Sequence, residues 1–131
     1  MSDGFSSTFA NALLNTLNNT APTAYSTVYI QIHTGAPGTA GSSNISAGSS
    51  TRQSASFGAA SNSSNTSTVS ITGTPQWTNG GTTETITDLS VWSAVTGGTF
   101  LFSVQLAVAV PWANGNTTQL AALNVSFPSA F

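Results

Sequence analysis

The chain has 131 residues, of which 39% are hydrophobic and only 3% charged, with a formal net charge of −2. Arg52 is the sole Lys or Arg, and Asp3, Glu84 and Asp88 are the acids; an ordinary soluble domain carries about 25% charged residues. One cation cannot supply the clustered Lys and Arg that nucleic acid or an anionic membrane requires, and the absence of Cys removes disulfides and thiolate metal sites.

This hydrophobic content is enough for one packed core, so a single domain over residues 1–131 is expected, with a helix within 1–20 and strands across 25–131. Solubility has to rest on hydroxyls, amides and backbone, and a surface so weakly charged suits a subunit that touches neighbours. Met1-Ser2-Asp3-Gly4 lacks the basic and apolar regions of a secretory signal. The longest apolar run, Leu106 to Trp112, is too short to span a bilayer and is broken by Pro111. A soluble protein made in the cytoplasm is expected.

In chain order, Ser2 or Asp3 can cap a helix beginning near Gly4. Phe5, Phe9, Leu13 and Leu17 recur every four residues, Ala12 and Leu14 widen that stripe, and Pro22 blocks continuation. Val28, Ile30 and Ile32 then alternate with Tyr29, Gln31 and His33, the period of a half-buried strand over Ser26 to His33. Gly35, Pro37 and Gly38 stop it, and Gly35 to Ser50 reads as a long polar loop, of a length that is uncommon unless functional or mobile.

Thr51 to Phe57 reads as a strand, Ser61 to Ser67 as a polar turn, and Thr68 to Thr72 as a strand with Val69 and Ile71 on one face. Trp77 sits at a strand end, and Asn79-Gly80-Gly81 is a hairpin signal. Thr83 to Ser93 is the next strand, with Leu89 and Val91 opposite Asp88, Ser90 and Trp92. After Gly97-Gly98, Thr99 to Val110 alternates without interruption from Phe100 to Val110, and Pro111 ends it. A turn at Asn114-Gly115-Asn116 leads to a last strand, Gln119 to Phe127. The whole is mainly β: a small antiparallel β-sandwich of about seven strands, jelly-roll or Ig-like, with one N-terminal amphipathic helix.

Residues for chemistry are few. His33 is the only imidazole, and the abundance of Ser makes a Ser-His-Asp arrangement with Asp88 uninformative without a nucleophile elbow. His33 is expected to end its strand and hydrogen-bond a loop carbonyl. Glu84 and Asp88 supply too few oxygens at fixed offsets for a calcium site, so a surface pair, or an Asp88–Arg52 salt bridge, is expected. No catalytic residue, cofactor or metal is assigned. Trp77, Trp92 and Trp112 are candidates for core edges, for a subunit interface or, with Tyr25 and Tyr29, for a sugar-stacking platform, and Phe5, Phe9 and Leu13 for docking the helix on a partner.

A resemblance covers nearly the whole chain. It runs through the Phe-rich helix with Asn11-Ala12-Leu13-Leu14, the segment Ala21 to Gly41 with its His33-Thr34-Gly35-Ala36-Pro37-Gly38 turn, the Thr51-Arg52-Gln53 strand start, and Asp88 to Gly98 followed by Thr99-Phe100-Leu101-Phe102. These segments resemble small virion proteins of tailed bacteriophages, the group labelled tail fibre or minor structural protein. Members often carry an acidic residue where this chain has Ala36, so no ligand site is carried over. The resemblance implies a non-enzymatic structural protein located in the virion. The absence of fibre-like repeats and the low charge favour a capsid decoration (cement) protein bound outside the head lattice. The alternatives are a tail-fibre or tail-tip component, or a carbohydrate or host-surface binding module. Expected partners are the major capsid protein or other virion proteins, further copies of the chain in a homo-oligomer, and a glycan in the module reading.

Overall fold

The computed structural model of the chain describes residues 3–128. In order, the elements are β1 (Gly4–Phe5), α1 (Ser7–Asn15) with a 3-10 turn (Thr16–Asn18), β2 (Val28–His33), β3 (Gln53–Phe57), β4 (Ser61–Ser63), β5 (Thr66–Thr72), β6 (Gln76–Thr78), β7 (Glu84–Trp92), β8 (Phe100–Trp112), β9 (Thr117–Gln119) and β10 (Asn124–Pro128). Eight strands form one antiparallel sheet in the order β1-β8-β7-β2-β3-β5-β10, with β4 beside β5, and β6 and β9 make a separate pair. The chain is thus mainly β with one N-terminal helix. The principal sheet curls until its ends meet: Phe127 on β10 lies 5.5 Å, ring centroid to centroid, from Phe5 on β1.

The core fills the inside of that curl. Val28, Ile30 and Ile32 of β2 pack with Ala55, Leu89, Val91, Leu101 and Phe102, and the β6–β9 pair adds Trp77 across one end. The β2 and β7 residues are the apolar positions of the period-2 pattern, placed on one face because successive side chains alternate across a strand, whereas the consecutive Leu101 and Phe102 both reach the core at a register shift in β8 opposite Val91 and Trp92. β2 is the central strand, hydrogen-bonded to β7 on one side and β3 on the other.

Four expectations are corrected by the ladder. The helix starts later than Gly4, because Gly4–Phe5 pairs with Ser103 and Phe102 as β1 and Ser6 is the cap; Ser2 lies outside the described residues. The Asn79-Gly80-Gly81 signal makes a turn but no hairpin: β6 pairs with β9, and Asn79 is buried as a bracket between two turns. Its Oδ1 accepts from the amides of Gly81 and Thr82, and its Nδ2 donates to the carbonyls of Thr82 and Trp112. Ser61 to Ser67 contains β4, whose polar residues carry no alternation; Ser64 and Asn65, at φ 49° and 60°, turn it onto β5. Finally β8 runs through Pro111 to Trp112, where β1 no longer covers its edge and a missing N–H is tolerated.

The alternation of β8 is also interrupted. β7 and β8 are in register at Asp88↔Gln105 and again at Ile86↔Val110, so β8 carries extra residues between these pairs. The bulge turns Val108 out of the core, leaving it 77% exposed.

Candidate functional site

The face of β2 and β7 turned away from the core is polar in sequence, yet it is buried. Gln31 and His33 on β2 stand opposite Ser90 and Asp88 on β7, and all four are nearly inaccessible. The segment 34–52 covers them. It is pinned to the sheet by the Ser46 amide on the Ile32 carbonyl and the Gln31 amide group on the Ser50 carbonyl, and braced within itself by the Thr34 amide on the Asn44 carbonyl. The long loop is therefore an ordered second layer. Gly41 allows its closest approach, because a Cβ there would lie 2.6 Å from the Phe100 ring.

His33 fixes its own tautomer. The Ser43 carbonyl, 2.8 Å from Nδ1, can only accept, so Nδ1 carries the proton. Nε2 is then an acceptor for the Ser90 hydroxyl at 2.7 Å, and Ser90 Oγ in turn accepts the Trp92 indole N–H at 2.8 Å. Burial lowers the His33 pKa, and the hydrogen bond to Ser43 and the charge of Asp88 only partly counter it. Ser90 and His33 thus have the contact of a nucleophile and its base, but both are 0% exposed and the third group is a carbonyl, not a carboxylate. The expected strand-end histidine bonded to a loop carbonyl is what the fold contains.

The charged residues are used singly. Arg52 does not pair with Asp88: its guanidinium donates to the carbonyls of Ala94 at 2.9 Å and Gly97 at 2.7 Å, and lies 3.7 Å over the Trp92 ring. Glu84 and Asp88 do not form a pair at the surface either. Glu84 accepts from the Ser46 hydroxyl and from the amides of Ala47 at 3.2 Å and Gly48 at 3.0 Å, holding the loop. Asp88 is 2% exposed and accepts from the Thr87 hydroxyl, while its Oδ2 has no hydrogen-bond partner. Among the described residues no three of His, Asp and Glu come together as metal ligands.

The tryptophans are not at the surface. Trp77 and Trp112 are each 2% exposed and Trp92 is 8% exposed, with their indole N–H groups donating to Thr51, Asn116 and Ser90. They are core residues because each apolar ring is enclosed and each N–H finds an internal acceptor. That placement removes them as an external stacking or docking platform.

Phe5, Phe9 and Leu13, by contrast, come together in the open. They line an apolar groove of about 260 Å³ whose other walls are Tyr25, Val28, Phe57, Val69, Leu101, Phe102, Val125 and Phe127. Phe5 meets Phe9 and Phe102 edge-on at 5.3 and 5.8 Å. α1 has no fully buried residue, so it lies on the rim of this groove as a half-covered lid. Phe127, which lines the groove, is 50% exposed, and elsewhere on the helical segment Leu14 is 64% and Leu17 86% exposed. The strand residues of the groove were not legible as a site, since Phe57, Val125 and Phe127 read as ordinary inward positions. Only the curl of the sheet brings β3, β5 and β10 to the helix.

Comparison with protein families decides the class. Residues 4–127 match the model of the podophage GP4 fiber I protein gp80 family. The chain belongs to the gp80 family. A search of curated proteins returned no match. As a gp80-family protein it is a structural component of a phage virion, and the fibre assignment supports the tail-fibre reading of the sequence better than the head-decoration reading. The match extends from β1 to β10, so it takes in both the groove and the loop layer.

Proposed function

We propose that this gp80-family chain is a non-enzymatic building block of the phage tail fibre, held to other virion proteins and to copies of itself by apolar contact. The observation that carries this reading is the family match over residues 4–127, and the open aromatic groove, together with the exposed Leu14 and Leu17 of the helical segment, supplies contact surface. Exposed apolar patches of this kind on small soluble proteins mark interaction sites. The non-enzymatic part is supported by the use of the chain's few reactive groups: His33 and Ser90 are enclosed, and Glu84 and Arg52 hold loops. Many copies in one appendage make weak contacts sufficient, because each is strengthened by the others.

Gold-labelled antibody against the chain, applied to intact particles, tests the location. Label on the tail fibres is the expected result. Label distributed over the head lattice would restore the decoration reading and overturn this one.

A further inference from the structure

We infer that the open seam of the curled sheet, between β8 and β10, receives an extended segment of a different virion protein that brings a Lys or Arg to Asp3. This deepens the fibre-subunit reading and rests on it only for where in the particle the partner sits. The curl brings β10 round to β1, but no ladder closes it. β1 covers β8 only at Phe102 and Ser103, and from Val104 onward no described strand pairs with the β8 edge turned away from β7. β10 pairs with β5, and its other edge is likewise unpaired among the described residues. A cleft of about 290 Å³ lies between them, walled by Ser103 and Val104 on one side and by 123–126 on the other. Two unpaired strand edges on one cleft are matched by an extended backbone, because only that presents donors and acceptors at the strand repeat to both sides. Val104 and Val125 pack on the core while Asn124 and Ser126 are exposed, so an inserted strand turns apolar side chains inward and polar ones outward.

Asp3 decides whose segment it is. It lies directly before β1 and lines a cavity of about 320 Å³ that shares Gly4, Phe5 and Ser103 with the seam. Both oxygens of its carboxylate are shut off from water, yet neither accepts a hydrogen bond among the described residues. A buried carboxylate left without donors is costly, and a cation relieves that cost. This chain has no side-chain cation to give. It has no Lys, His33 is enclosed, and Arg52 is held by the carbonyls of Ala94 and Gly97 and the ring of Trp92. A second copy is in the same position, and a strand already paired in its own sheet cannot enter between two edges of another. The segment therefore belongs to another protein.

A capped synthetic peptide of alternating Val and Thr, flanked by Lys, is the probe. With it bound, amides in 104–110 and 124–127 are expected to exchange with deuterated solvent about tenfold more slowly or better. The same peptide N-methylated along its backbone keeps the side chains and loses the donors, and is expected to protect neither edge. Replacing the Lys residues by norleucine is expected to weaken binding to the wild-type chain about tenfold, and to leave binding to Asp3→Asn, a near-isosteric change, as it was. Edges left unprotected by the parent peptide, protection that survives N-methylation, or Lys and norleucine peptides bound alike by the wild type would each overturn the inference. In particles, a photoreactive benzoylphenylalanine at the exposed Asn124 is expected to couple to a virion protein other than this chain, and coupling to another copy would also overturn it. Failure of the peptide with fibres still labelled by antibody would leave the fibre reading standing. Both edges protected with label on the head would do the reverse.

Discussion

Ser6 does three things at the start of α1. Its amide donates to the Leu101 carbonyl at 2.8 Å, its hydroxyl donates to the Phe100 carbonyl at 2.6 Å, and the same oxygen accepts the Phe9 amide at 3.1 Å. It is at once the N-cap and the rivet that fixes the helix to β8. Ser6→Ala is expected to lower stability by about 1–2 kcal/mol, measured as a reduced urea midpoint, since a cap and a buried hydrogen bond are lost together. His33 sets a second residue-scale expectation. Its folded-state pKa is lowered from 6.5 by burial, so below that pH the unfolded chain takes up a proton that the folded chain resists. The stability it contributes is present above pH 6.5 and is lost as pH falls towards the lowered folded value, at up to about 1.4 kcal/mol per unit. Urea titrations on either side of that pH should show this fall, and His33→Gln should flatten that part of the slope. The sequence identified His33 as a strand-end residue with a carbonyl partner. It could not reveal Ser90 and Trp92 behind it, because a hydrogen-bond chain across two strands depends on register.

Among the elements, the segment 34–52 departs furthest from its appearance in sequence. Its Gly, Ser and Asn content gives no hydrophobic pattern, so it reads as a solvated loop. Its attachment is instead through backbone groups, to Ile32, Gln31 and His33, and through the carboxylate of Glu84. Glu84→Gln replaces an acceptor-only group, which serves one hydroxyl and two amides, with one that has a single acceptor oxygen. Limited proteolysis should then cut within 34–52 several times faster than in wild type, while the strands stay intact. Gly41→Ala is expected to cost about 1–3 kcal/mol, because φ of +72° and the Phe100 ring both oppose a Cβ. β2 and β7 were legible through their apolar alternation, and β8 was legible until its bulge. β1 and β4 were not, since a two-residue and an all-polar strand have no period to read.

For the whole molecule, the scarcity of charge and the β-rich pattern were visible in the composition, and the phage-virion class in the motifs. The fate of the aromatic residues was not. Trp77, Trp92 and Trp112 were as plausible outside as inside until the loop and the β6–β9 pair closed over them, whereas Phe5, Phe9 and Phe127 are gathered into an open groove by the curl. An assembly held by such a groove has no ion pairs to screen. Its sedimentation is therefore expected to be unchanged between low and high salt, where a charge-mediated contact would weaken. The most direct measurement is a reconstruction of the intact particle at side-chain resolution. This account predicts the curled sheet in the tail fibre with protein density seated against Phe5, Phe9 and Phe127. The same fold found on the head lattice, or in the fibre with that groove open to solvent, would contradict it.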